Sequence, residues 1–263
     1  MSTALRLTRI HARDVLRGRW LIFYTSGFAL LAEAFLRFSG SESNAVLGLG
    51  TVTIIAVPLL TLVVATVHLY GAREFVEALL AQPVRRSAVF AGLYLGIALP
   101  AAGAYVVGAG VPLAVRGFGG ELLRGACATL LAAGVLLTLT FVAVACCVAF
   151  LIEDRLRGLG VALGVWMLIA VLYDAAVLMF VALASDRPLE KPLLALTFAN
   201  PIDLARVSLL LRLDAAGLMG YTGAAFQHFF AERWGAALAL AALMAWAAIP
   251  IAIGARAFEK KDF

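Results

Sequence analysis

Six separate stretches of this 263-residue chain are apolar over a bilayer's width, which fixes its solvent before any motif is read. A hydrocarbon core of roughly 30 Å takes about 20 helical residues to cross. The stretches run near Trp20 to Phe38, Leu47 to Tyr70, Ser87 to Val115, Ala126 to Ile152, Leu159 to Ala184 and Trp234 to Arg256. Backbone donors and acceptors need internal partners in lipid, so the expected fold is an all-α bundle of six membrane spans in a single domain covering residues 1–263. Hydrophobic residues make up 63% of the chain and charged ones 14%, too apolar for a water-soluble domain to expose. The first apolar run starts only at Trp20, runs past Phe35 and lacks a small-residue cleavage site, so the first span is expected to be retained.

Charge placement orients the bundle. Arg6, Arg9, Arg13, Arg17, Arg19, Arg73, Arg85, Arg86, Arg155, Arg157, Arg256, Lys260 and Lys261 fall on one side, thirteen in all, against Arg37, Arg116 and Arg124 in the short loops of the other. Short cytoplasmic loops carry the excess of Lys and Arg, so both termini should be cytoplasmic and residues 185–233 should face outward. Anionic lipid headgroups account for the net charge of +5. No basic stripe is interleaved with aromatics, which argues against a nucleic-acid partner. Cys127 and Cys146 are separated by roughly 28 Å of helix, so Cys127, Cys146 and Cys147 read as small buried hydrophobes.

Residues 1–19 alternate arginine with apolar side chains at helical spacing, as in an interfacial elbow helix. Pro58, Pro100 and Pro250 should bend the second, third and last spans. Gly92 with Gly96, and Gly160 with Gly164, suggest close helix packing. In the outward segment Pro188 and Pro192 break the chain, and then Asn200, Pro201 and Asp203 spell a helix start. That helix should run from Pro201 to about Leu213 and tuck back into the outer leaflet or over the bundle, with a second short piece near Ala224 to Glu232. Between the second and third spans, Ala72 to Gln82 is a short amphipathic helix stopped by Pro83. Phe75, Val76, Leu79 and Leu80 make its apolar face, and Arg73, Glu74 and Glu77 the rest. Such a moment fits lipid and a protein groove equally well.

Catalytic signatures are missing. No Lys follows a Gly, so the chain has no phosphate-binding loop and should not hydrolyse nucleotide by itself; no H-E-x-x-H occurs among its three His. Ser26 and His68 have neither a strained turn nor an oxyanion site to make them a nucleophile and base. No resident cofactor or metal is expected. Asp174 is the one carboxylate well inside a predicted span, where charge is expensive and must be paired, protonated or turned to the bundle. It is read either as part of a gate in a translocation path, with Met167 in the same span, or as the structural partner of Arg206. Glu33 and Arg37 should form an ion pair at the rim.

The run Gly71-Ala-Arg-Glu-Phe-Val-Glu-Ala-Leu-Leu-Ala-Gln-Pro-Val-Arg-Arg86 resembles the coupling-helix signature of bacterial ABC-2-type exporter permeases, although it begins less acidic than is usual there. The amphipathic start, six spans and helical insert before the last span match the same pattern over essentially the whole length. Ala162-Leu-Gly-Val-Trp-Met-Leu, Tyr173-Asp174 and Asn200-Pro-Ile-Asp-Leu-Ala-Arg206 are similar to the permease subunit of the transporter that matures nitrous-oxide reductase. The resemblance implies a homodimeric permease in the bacterial inner membrane, driven by a separate cytosolic ABC ATPase that holds ATP and Mg and docks on Arg73, Glu74, Phe75, Val76, Glu77, Leu79 and Leu80. It further implies a periplasmic repeat-type partner near Asn200, Pro201, Asp203 and Arg206, and a role in copper-sulfur centre maturation. A general exporter of lipid, peptide or drug, and a scaffold that transports nothing, remain the alternatives.

Overall fold

The computed structural model describes residues 3–116, 120–183, 190–213 and 235–260, and among them only helices and short connections occur. The order is α1 (Thr3–Arg17), α2 (Arg19–Phe38), α3 (Glu42–Gly71), α4 (Arg73–Leu80), α5 (Arg86–Arg116), α6 (Glu121–Leu151), α7 (Arg155–Met167), a π-helical turn (Leu168–Leu172), α8 (Tyr173–Leu183), α9 (Glu190–Phe198), α10 (Pro201–Arg212) and α11 (Gly235–Lys260). Six membrane-length apolar helical segments stand among the described residues, with α7, the π turn and α8 forming the fifth as one segment. The chain is an all-α membrane bundle, as expected. The expected piece at Ala224 to Glu232 lies outside the described residues.

Local chemistry sets the helix ends. Gly40, at φ 73°, makes the tight turn between the first two spans, a conformation without a steric penalty only for glycine. Ser41 then caps α3 by accepting from the Asn44 N–H, and Asp154 caps α7 by accepting from the Arg157 N–H. Pro192 was expected to break the chain, yet it sits in the first turn of α9, where a missing N–H leaves no intrahelical bond unmade.

The core lies on α5 and α6, with α3 and α11 packed on α6, and α1 and α2 on α5. At its centre the Tyr105 ring lies where a Cβ on Gly134 would be, and the Tyr105 hydroxyl donates to the Leu130 carbonyl (3.3 Å). This is the small-residue packing that membrane helices use in place of a hydrophobic driving force.

Helices α3, α5 and α11 each continue as helix through Pro58, Pro100 and Pro250, and a π interruption that was not expected falls in the fifth span, which contains no proline. Gly160 and Gly164 face open space, because this span is hardly packed against the rest of the chain. Besides Gly134, close approaches are made by Gly96, against His11 of α1, by Gly108, against the Thr25 carbonyl, and by Gly158, against the Tyr70 hydroxyl.

Candidate functional site

Polar contacts gather at two ends of the bundle. At the end bearing α1 and α4, helix α4 leaves the second span through a single residue, Ala72. Val76 is only 3% exposed and joins Leu69, Tyr70, Arg73, Leu93, Ala149 and Phe150 around a small crevice. Leu79 and Leu80 are partly buried against the same core. Phe75, by contrast, is 46% exposed, flanked by exposed Glu74, Glu77 and Ala78. The apolar face read from the sequence as one surface is therefore divided. At about 100° per residue, turning Val76, Leu79 and Leu80 to the bundle leaves Phe75 at the boundary.

Hydrogen bonds fix α4 from both sides. Arg73 donates to the Glu153 carbonyl (2.7 Å) and approaches Glu77 at 3.6 Å. The Tyr70 hydroxyl donates to the Ile152 carbonyl (2.9 Å), which pins the α6–α7 connection to the foot of α3. A Cβ on Gly158 would overlap that hydroxyl. The buried His11 ring of α1 stands edge-on to Phe75 (centroids 5.5 Å) and to His68 (6.4 Å). Burial, then the neighbouring His68, holds the His11 pKa below the ordinary 6.5, with Asp14 opposing. Neither His Nε2 has a hydrogen-bond partner. The sequence reading left His11, Tyr70 and the 152–154 connection out of this site. A lone His among the arginines of an amphipathic helix was the available signal for His11.

At the other end, α9 and α10 form a hairpin bent by 116°. Asn200 caps α10 as expected, its side-chain oxygen accepting from the Ile202 N–H (2.9 Å). Its amide nitrogen donates to the Ile169 carbonyl in the π turn (2.8 Å). One NH group of Arg206 meets Asp174 Oδ2 at 2.8 Å and Asp203 Oδ1 at 2.9 Å, so the carboxylate inside the span is paired with arginine. Asp174 Oδ1 is shielded and without a partner. Tyr173 donates from its hydroxyl to the Leu196 carbonyl (2.6 Å). Met167 is half exposed just before the π turn and joins none of these contacts. Pro201 is buried at the first position of α10. At the rim Glu33 pairs with Arg37 (2.6 Å), as expected, and also with Arg116 (3.3 Å).

Among the described residues no three His, Cys, Asp or Glu side chains are grouped to hold a metal ion. The arrangement contains an anchored short helix at one end and a polar-tied hairpin at the other. The profile of the ABC-2 family transporter protein matches residues 5–263. A probable ABC transporter permease protein NosY from Pseudomonas aeruginosa is 28% identical over 236 residues, covering 84% of this chain and 86% of that protein. A protein of the same description from Stutzerimonas stutzeri is 26% identical over 234 residues, covering 82% and 84%.

Proposed function

This chain belongs to the ABC-2 transporter family and is the permease subunit of an ABC transporter, and on that premise we propose that α4 is the coupling helix that seats a separate cytosolic ATPase. ATP and Mg belong to that partner. The observation that carries this reading is the division of α4. Val76, Leu79, Leu80 and Arg73 grip the bundle, while Phe75, Glu74 and Glu77 are displayed outward. A helix that only rested in lipid would turn its largest apolar side chain away from its acidic ones and toward the membrane. Here a half-exposed aromatic between two carboxylates is suited to a groove with a basic rim.

The wider reading follows from the positive-inside count and from the resemblance at Asn200 to Arg206. Both termini are cytoplasmic, the chain sits in a bacterial inner membrane, and two copies make a homodimer whose seam carries the cargo path. Asp174, Met167 and the α9–α10 hairpin lie on its outer side, where a periplasmic partner is sensed. In this reading the permease serves copper-sulfur centre maturation of nitrous-oxide reductase, which the resemblance at Asn200 to Arg206 and the likeness to NosY permeases support.

Co-purification in detergent tests the central claim. Phe75→Asp should abolish recovery of the ATPase with the permease, while the variant keeps its thermal midpoint. Retention of all partners by a folded Phe75→Asp protein would make α4 a lipid-bound connector and favour a scaffold.

A further inference from the structure

The fifth span is held differently above and below its π turn. Its inner half, α7, packs along α3, with Gly158 and Ala162 buried. Its outer half contributes no fully buried residue, and Ile169 and Ala170 of the π turn are only partly buried against the core. The hairpin beside it is firmly seated. Ile202, Leu204 and Ala205 of α10 are fully buried, α10 packs on α3, α6 and α11, and Trp246 of α11 donates to the Phe198 carbonyl at the bend (3.0 Å). Among the described residues, α8 and the π turn are tied to this seated hairpin by three polar contacts: Tyr173 to Leu196, Arg206 to Asp174, and Asn200 to Ile169.

The last contact explains the π turn. In an α-helix the donor to the Ile169 carbonyl is the Tyr173 N–H. Here that N–H is engaged one residue earlier, with the Leu168 carbonyl. Asn200 supplies the donor that the Ile169 carbonyl has lost. Removing the hairpin's amide would leave a carbonyl without its partner, and closing the turn to α-helix would restore the internal bond. Two states of the backbone thus compete for one acceptor, the kind of discrete alternative that conformational switching requires.

We propose that the α9–α10 hairpin is a fixed post, the π turn a hinge, and α8 an arm latched to the post by Asn200, Tyr173 and the Asp174–Arg206 pair. Release of the latch lets the turn close into α-helix. Taking one residue's excess out of the turn rotates everything beyond it by roughly 100°. Tyr173 and Asp174 lie beyond it, so they leave Leu196 and Arg206 together and the latch opens as a unit. This inference rests on the permease reading for its driving force, since ATPase closure supplies the push, but the two-state turn itself stands on the geometry alone.

Spin labels at Leu178→Cys on α8 and Val115→Cys on α5, both exposed positions, report the arm. The background replaces Cys127, Cys146 and Cys147, and the permease–ATPase complex is held in lipid nanodiscs. A rotation of that size moves a label on an α-helix by on the order of 8 Å. The ATP-trapped complex should show a second distance shifted by that amount. Asn200→Ala should populate the second distance without nucleotide, and deletion of Ala170, which makes the turn α-helical without changing the phase of α8, should hold the first distance alone, with ATP trapped or without. Should the deletion fail to fold, Asn200→Ala still decides. One unchanged distance in the wild type, the ATP-trapped state and Asn200→Ala, in complexes that hydrolyse ATP, overturns the latch and leaves the permease reading standing. Failure of any ATPase to bind sinks the permease reading instead, and the nucleotide-free comparison of wild type with Asn200→Ala continues to judge the latch.

Discussion

The short helix α4 and the arm α8 are both attached to the bundle by polar contacts, yet α4 is also anchored by buried apolar side chains and α8 by none. Val76 is buried and Leu79 and Leu80 are half-buried, so Arg73 and Tyr70 only orient a helix already seated. On α8 the order is reversed: no residue is buried, and Tyr173 and Asp174 do the holding. Packed contacts give way all together or hardly at all, whereas a few hydrogen bonds worth about 1 kcal/mol each can exchange partners. The first arrangement suits a lever that must pass on displacement without yielding. The second suits a part that must let go.

The largest expected effect comes from making the α4 seat resemble the α8 attachment. Val76→Asp places a carboxylate in an apolar seat and should lower stability by on the order of 4 kcal/mol, a size reserved for buried unpaired charge. Both the thermal midpoint and ATPase recovery should fall together, unlike Phe75→Asp, which should remove only the ATPase. Equal melting for the two variants would show that α4 is not seated at all.

Arg206→Gln attacks the other attachment. It leaves Asp174 and Asp203 facing each other without their shared cation, at a cost of about 1–2 kcal/mol given their partial exposure. ATPase recovery should be kept, because nothing at the α4 end is touched. The readout is proteolytic sensitivity around residues 173–183 in nanodiscs, which should rise. Protection unchanged from wild type would mean that α8 is held by packing after all.

Much of this contrast was legible in the chain. Six spans, the amphipathic α4 and the Asn200-Pro201 helix start follow from period and cap chemistry, which act over three or four residues. The Asp174–Arg206 pair was one of two readings of a carboxylate within a span, and the structure makes it. What escaped depends on contacts across the chain. The turn at Leu168–Leu172 has no proline or glycine to announce it, and the side chain that meets its Ile169 carbonyl, Asn200, lies some thirty residues away. Likewise the split of α4, with Phe75 outward and Val76 inward, is decided by where α1 and the 152–154 connection lie. A helical wheel contains neither.

A smaller effect is expected from pH at the α1–α4 junction. His11 is buried, and its folded-state pKa lies below the 6.5 of an unfolded histidine. The unfolded chain therefore takes up a proton that the folded junction resists, so stability is full above pH 6.5 and declines as pH falls from there toward the folded value, below which it levels. Acidification through this window should loosen α1 from Phe75 and lower ATPase recovery. His11→Phe keeps an aromatic against Phe75 and should remove the part of the loss due to this group. An identical pH profile for His11→Phe would assign that loss elsewhere, leaving the buried ring as packing alone.

The smallest effect should come from Glu33, which makes an ion pair as short as any among the described residues, 2.6 Å to Arg37, and a second contact with Arg116. Length alone does not decide what a pair does. Glu33 and Arg37 are one helical turn apart on a single rigid span, and their side chains are 36% and 64% exposed. Water and salt screen such a pair, and most measured examples contribute little. Arg116 also donates to the Leu36 carbonyl, so the link between α2 and α5 survives loss of the carboxylate. Glu33→Gln should leave the thermal midpoint, ATPase recovery and proteolysis of residues 173–183 as in wild type, at low and at high salt. Should it instead match Arg206→Gln, ion pairs would matter here wherever they occur. The distinction between α4 and α8 would then lose its basis in what each pair holds in place.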